Sequence, residues 1–318
     1  RIDEYLKPMF FNRIHKQSPS APVEVVPESI NLQFLQTNYD EDFDSTFLRK
    51  YKPLKILGQG TYGCVFKVEK DLRGVMDIKR AVKRIALERK KNVVDIALRE
   101  VAALLALDNP GIVSFFNAWI ENPPEGWQAS TDEKITEGLN YRGHFTYKKN
   151  CCFLYIEMEL CEWTLEEWLS KNKSRNLRQS LIWFWWLVSA VAYIHEKKYI
   201  YRDLKPSNIL FTAYGRLKIC DFGIITDRAI NDDDGEEASV ERTFAMGTEM
   251  YMAPEQPGWA DYSSKVDIFT LGLILVELCV VIPKDEKMDV FDNYRNGKPN
   301  NVLYEYPDAV RTGLLFLL

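Results

Sequence analysis

Gly58-Gln59-Gly60-Thr61-Tyr62-Gly63-Cys64-Val65 is the stretch on which the fold turns. Tyr51 to Leu57 before it and Cys64 to Glu69 after it read as strands, and a third strand, Arg80 to Ile85, follows the Asp71 to Asp77 loop. A dinucleotide-binding fold needs such glycines between a strand and a helix, so this context disfavours it and predicts an antiparallel hairpin that acts as a lid. Glycines here let the backbone close over phosphate groups without Cβ clashes. Taken alone, a glycine-rich hairpin is as often a plain turn.

Outward from the hairpin, Val94, Leu98, Val101 and Leu105 recur at helical spacing, opened by Asn92 and stopped at Asn109-Pro110. Ile112 to Ile120 and Cys152 to Met158 read as two more strands. The polar residues 122–150 between them carry no periodicity and read as an insertion loop. Beyond Cys161 the chain turns helical, at Leu165 to Lys171, Leu181 to His195, Val266 to Cys279 and from Ala309 to the end. The expectation is an α+β chain with a strand-rich small lobe over 48–161 and a mainly helical large lobe over 162–318. Residues 1–47, with a Ser/Pro patch and the acidic Asp40 to Asp44, read as a partly disordered linker.

At 318 residues, 46% hydrophobic and 27% charged, the chain can bury a large core. A net charge of -5 argues against direct nucleic-acid binding, which uses a basic face, and favours a protein or nucleotide partner. The six cysteines form no CxxC pair and have no His at zinc spacing, which predicts reduced thiols. The apolar runs Leu181 to Ile194 and Leu271 to Ile282 fall short of the roughly 18 to 20 residues that span a bilayer. Residue 1 is Arg and no signal segment follows it, so the chain reads as a piece of a longer one.

Ala81-Val82-Lys83 puts an ammonium on a strand, and Glu100 in the helix is its natural clamp, although singly each is usually a solvated charge. Tyr201-Arg202-Asp203-Leu204-Lys205-Pro206-Ser207-Asn208, then Asp221-Phe222-Gly223, then Ala253-Pro254-Glu255 complete an ordered set. From Tyr51 to the C-terminus this set resembles the eukaryotic protein kinase catalytic domain. The resemblance implies a bilobal kinase fold that uses ATP and Mg2+, with Asp203 taking the acceptor's proton and Lys205 steadying the transferring group. Asn208 and Asp221 would hold magnesium, Gly58, Gly60 and Gly63 would cover the phosphates, and Lys83 would bind them under the grip of Glu100. Lys205 two residues after Asp203 is the form that transfers to Ser or Thr. Tyr201 replaces the usual His, and its ring can fill the same place beneath Phe222. His195 and the Trp183, Trp185 and Trp186 cluster read as structural parts of a core helix.

Met158-Glu159-Leu160-Cys161, Gly247 to Gln256 and the insertion resemble the kinases that phosphorylate the alpha subunit of translation initiation factor two. Phe116 to Gln128 is most similar to the endoplasmic-reticulum branch of that family, whose insertion is usually much longer. By this resemblance Met158 is the gatekeeper, the backbone from Glu159 to Cys161 takes the adenine edge, and Leu57, Val65, Ala81 and Leu210 enclose the ring. The partners implied are the initiation-factor alpha subunit and a second copy through the small lobe. Membrane attachment would lie in segments outside this chain, with the kinase domain facing the cytoplasm. Thr243, behind the acidic Asp232 to Glu237, would be the regulatory phosphosite that pairs with Arg202, and Thr248 part of the substrate floor with phosphorylation as a second role. Relatives continue to an Arg that pairs with the Glu of Ala-Pro-Glu. The expectation is therefore an incomplete large lobe with Glu255 buried and uncompensated, at a cost of about 3 to 5 kcal/mol. A binding-only pseudokinase scaffold is the rival reading, and intact Lys83, Glu100, Asp203, Asn208 and Asp221 count against it. A kinase for another protein or an enzyme of small molecules are further alternatives.

Overall fold

The computed structural model describes residues 43–60, 63–71, 77–87, 91–143, 145, 151–223, 226–227, 249–256 and 263–298. It opens with a short helix, α1 (Thr46–Lys50), whose N-cap Ser45 accepts the Leu48 N–H at 3.3 Å. Glu121 receives the Ser45 hydroxyl, the Phe47 N–H and the Trp119 indole N–H, each at 2.8 Å. Phe47 is buried and stacks on Tyr155 at 5.2 Å. The linker therefore does not reach residue 47. Its last residues, from Ser45, dock on the small lobe, while 1–42 lie outside the described residues.

Strands β1 (Tyr51–Gly60), β2 (Gly63–Asp71), β3 (Asp77–Leu87), β4 (Phe115–Glu121) and β5 (Cys152–Glu159) form one antiparallel sheet in the order β1-β2-β3-β5-β4. Between β3 and β4 runs α2 (Lys91–Ala106), the helix that carries Glu100. The insertion is not a bare loop, because it contains α3 (Trp127–Gly138). Its buried face is polar, with Gln128 and Asp132 one turn apart, which is why no apolar period marks it. Arg84 of β3 donates both Nη groups to the Asp132 carboxylate, at 2.7 and 2.8 Å, and lies over the rings of Phe66, Phe145 and Phe153. Burial would depress the Arg84 guanidinium, but the Asp132 carboxylate outweighs it and holds the group above its ordinary value.

The large lobe contains β6 (Trp163–Thr164), α4 (Leu165–Lys171), α5 (Leu177–Glu196), β7 (Tyr199–Ile200), a 3-10 turn (Pro206–Asn208), β8 (Ile209–Phe211), β9 (Leu217–Ile219), β10 (Thr226–Asp227), α6 (Lys265–Cys279) and α7 (Lys287–Arg295). A capping box of Thr164 and Glu167 starts α4. At 20 residues α5 is, among the described residues, the one helix long and apolar enough to cross a membrane. Its buried residues Trp183, Leu187, Ala190, Val191 and Ile194 nevertheless recur at three and four and seat it in the core with α6. Trp183 packs edge-on against Trp168 and Phe211, whereas Trp185 is 45% exposed, so the expected tryptophan core is not one cluster.

Sequence periodicity missed α7, whose buried residues are Val290, Phe291 and Tyr294. It pins residues 249–252, because Arg295 donates to the carbonyls of Glu249, Met250 and Met252. Glu255 is exposed, so the expected cost of a buried unpaired carboxylate does not arise. The helix expected from Ala309 lies outside the described residues.

Removing one partner of a buried ion pair leaves the other desolvated without compensation. Asp132→Ala is expected to lower stability by about 3 to 5 kcal/mol, while Arg84→Met with Asp132→Leu recovers most of that loss. Denaturant unfolding of the three variants checks this, and an unchanged midpoint in Asp132→Ala would show that α3 does not hold β3.

Candidate active site

Residues directly opposite in antiparallel strands, and residues two apart in one strand, share a face. Val65 pairs with Lys83, and Ala81 with Met158, so these four line one face of the sheet. Ala81 and Met158 are buried there, with Val65 partly exposed and Leu57 exposed at the edge of β1. Leu210 lies on β8 in the large lobe, paired with Thr164 and Lys218. Of the lid glycines, Gly63 is fixed by packing, because a Cβ there would stand 2.1 Å from the Arg84 carbonyl oxygen. A Cβ at Gly58 would meet nothing within 4 Å, so that position is the open one.

At the hinge the Glu159 side chain turns away from this face. Its carboxylate takes the Lys218 ammonium at 2.5 Å, and Lys218 also donates to the Ile112 carbonyl at 3.2 Å. The Glu159 N–H donates to the Ser114 carbonyl at 2.9 Å. Burial pushes the Cys161 thiol up to about 12, leaving a neutral, apolar side chain at the end of the hinge.

Lys83 donates to both Glu100 oxygens, at 2.7 and 2.9 Å, and to Asp221 Oδ1 at 2.9 Å. Burial alone would depress the Lys83 ammonium, but the carboxylates of Asp221 and Glu100 outweigh it and hold it above its ordinary value. Lys83 in turn holds the Asp221 carboxyl below its ordinary value. Burial pushes the Glu100 carboxyl up, against the pull of Lys83.

Asp203 accepts the Lys205 ammonium at 2.9 Å and the Asn208 amide at 2.8 Å, and the same Asn208 amide reaches the Asp203 carbonyl at 3.0 Å. Burial raises the Asp203 carboxyl, with Lys205 opposing, which favours a proton acceptor over an inert carboxylate. Asn208 donates its amide N–H to Asp203, and its carbonyl oxygen is the donor it could offer a cation. Asp221, half-exposed, keeps a second oxygen beyond its bond to Lys83. Two hard oxygen donors fit Mg2+, which completes its shell with phosphate and water.

Asp267, which sequence reading missed, supports this loop. From α6 it accepts the N–H groups of Tyr201 at 2.9 Å and Arg202 at 2.8 Å, and contacts His195 Nε2 at 2.7 Å. His195 is thus a structural partner, as expected. Tyr201 meets the Phe222 ring edge-on at 5.3 Å, and its hydroxyl donates to the carbonyls of Cys220 and Asp221. Arg202 lies beside Asp203, while Thr243 and Thr248 lie outside the described residues.

Residues 51–296 match the family model "Protein kinase domain", and the chain belongs to that family. It is 32% identical over 305 residues to the mouse "Interferon-induced, double-stranded RNA-activated protein kinase", covering 93% of this chain and 52% of that protein. Over about half of the chain it is 37% identical to the Caenorhabditis elegans "Eukaryotic translation initiation factor 2-alpha kinase pek-1" and 39% identical to the rat "Eukaryotic translation initiation factor 2-alpha kinase 3". The chain spans about half the length of the mouse relative, and 16% and 15% of the other two.

Lys83→Met leaves Glu100 buried without its cation, and is expected to destabilise the fold by about 3 to 5 kcal/mol. Adding Glu100→Gln should restore part of that. With burial unopposed, Glu100 in Lys83→Met binds its proton more tightly folded than unfolded, so the deficit should shrink as pH falls from neutral toward the ordinary carboxylate range near 4.3. Thermal unfolding against pH checks both, and a deficit that grows on acidification would contradict the assignment.

Proposed function

We propose that this domain is an ATP- and magnesium-dependent Ser/Thr protein kinase whose acceptor is the alpha subunit of translation initiation factor two, and that it restrains translation under stress. The observation that carries the reading is the joined set of Lys83, Glu100 and Asp221 beside Asp203, Lys205 and Asn208. Lys83 supplies the charge for the phosphates, Asn208 and Asp221 the oxygens for magnesium, and Asp203 the base for the hydroxyl. Phosphoryl transfer runs through a loose transition state that needs positioning and charge neutralisation more than covalent attack. The substrate rests on what the relatives are named for and on the resemblance of the hinge and the Gly247 to Gln256 segment. A scaffold that lost catalysis would have no need to hold Asp203 and Lys83 in these contacts. The intact protein is read as a kinase facing the cytoplasm, held at the endoplasmic reticulum membrane by segments outside this chain and pairing with a second copy through the small lobe.

Incubation with labelled ATP and the alpha subunit tests the reading. Asp203→Asn is expected to abolish transfer and to leave ATP affinity within a few fold, because the base acts on the acceptor. Near-normal turnover in that variant would refute the role.

Activation is read as transfer onto Thr243 of a neighbouring copy. A phosphate of about -2 charge there would pair with Arg202, whose N–H is already fixed by Asp267 next to Asp203. Mass spectrometry of active protein should find Thr243 modified, and activity should rise after a lag that shortens with protein concentration. Full activity without a lag in Thr243→Ala would overturn this switch.

A further inference from the structure

Two stripes run the length of α5. Trp183, Leu187, Ala190 and Ile194 face the core, and beside them the Tyr193 hydroxyl accepts the Asp108 N–H at 3.2 Å, so the loop at 108–111 closes one flank. The opposite stripe, at the same spacing of three and four, is open to solvent. Leu181 is 39% exposed, Ile182 36% and Trp185 45%, and Ala192 is exposed further along. The outer face of a surface helix is ordinarily polar, and a contiguous apolar patch with a tryptophan in it marks a protein interaction surface.

The order of residues along the stripe is self-complementary. Its first half is large, with Leu181, Ile182 and Trp185, and its second half is small, with Ser189 and Ala192. It begins at the exposed cation Arg178 and ends at the exposed anion Glu196. These two lie on one line, because the step between them makes about five full turns of helix. The neighbouring Lys197 is set aside from that line, over the Tyr193 ring at 5.6 Å.

We propose that this stripe docks a second copy of the chain, the two α5 helices lying antiparallel about a two-fold axis near Leu187. Each Arg178 then meets Glu196 of the other copy, Trp185 stands level with Ser189, and Ile182 with Ala192. The large half of each stripe fills the space that the small half of the other leaves, as a two-fold contact requires. A stripe about 27 Å long covers one helix face only, which sets the contact among the weak, concentration-dependent ones. It lies on the large lobe, apart from the small-lobe pairing proposed above, so one copy can use both.

Sedimentation equilibrium of the whole chain tests this. Trp185→Glu is expected to raise the dimer dissociation constant by about tenfold or more. Arg178→Glu and Glu196→Arg should each raise it about three- to tenfold, and the two changes together should return it to within about twofold, because the antiparallel pairing sets these positions against each other. All three side chains are exposed, and circular dichroism checks that the variants keep the fold. A chain that stays monomeric at every concentration, as it would if its own residues 309–318 covered the stripe, would overturn the proposal. So would a charge-swapped pair no better than either single change, or a dissociation constant that none of the variants moves, which would leave the small lobe as the contact.

Discussion

A single carboxylate at the centre of the large lobe governs the rest. Asp267 is 1% exposed in a helix that is otherwise almost wholly apolar, and a charge there survives only with full compensation. The N–H groups of Tyr201 and Arg202 and the His195 ring supply it. In return the loop is held where it would not rest by itself. Arg202 has φ 71°, a left-handed conformation that costs a non-glycine residue about 1 to 2 kcal/mol. Hydrogen bonds to a charged acceptor contribute about 1.5 to 3 kcal/mol each, so the two backbone bonds outweigh the strain. Asp203 follows directly, aimed by a backbone that α6 has already fixed.

The same logic passes from Asp203 to Asp221. Tyr201 is fully buried, rests against Phe222 and ties the Cys220 and Asp221 carbonyls through its hydroxyl. Asp221 also has a left-handed backbone, with φ 62°. The two strained residues, Arg202 and Asp221, are thus tied to one buried tyrosine, the first as its chain neighbour and the second through its carbonyl. Lys83 then joins this rigid floor to the small lobe, because its ammonium touches both Asp221 and Glu100. Rotation of α2 that withdrew Glu100 would leave a carboxylate 2% exposed without its cation. Withdrawing α2 therefore carries an electrostatic cost that holds the two lobes in this arrangement.

How much of this the sequence disclosed follows from the kind of signal each part carries. The five strands and α2 announce themselves by alternation, a glycine turn and a period of 3.6, and the motif residues stand where their spacing puts them. Asp267 was illegible because an acid in an apolar helix looks the same in one dimension whether it holds a loop or merely pairs, as Glu277 does with Lys287 and Tyr251. The helix α3 was illegible because its inward face is an amide and a carboxylate. Trp185 misled in the opposite sense, since hydrophobicity alone does not say which side of a helix faces the core. Lys218 was passed over because its partner Glu159 is 59 residues away and meets it only across the hinge.

These misses have a common physics. Ser45 reaches Glu121 across 76 residues, Tyr51 reaches Glu157 across 106, Arg84 reaches Asp132 across 48 and Tyr201 reaches Asp267 across 66. Apolar contacts tolerate a shift of one residue or one turn, because one methyl group can replace another. A buried carboxylate does not, since a slipped element leaves it desolvated and unpaired at about 3 to 5 kcal/mol, a large share of a domain's net stability of about 5 to 15 kcal/mol. Burial of apolar surface supplies the drive to collapse, and the long-range carboxylate contacts choose the register in which the strands, α2, α3 and the Asp203 loop come to rest. The site is accurate because its own charges depend on that same set: Glu100 pairs with Lys83 across two elements, and Asp203 follows the two residues that Asp267 fixes, so the register that satisfies the fold satisfies the site.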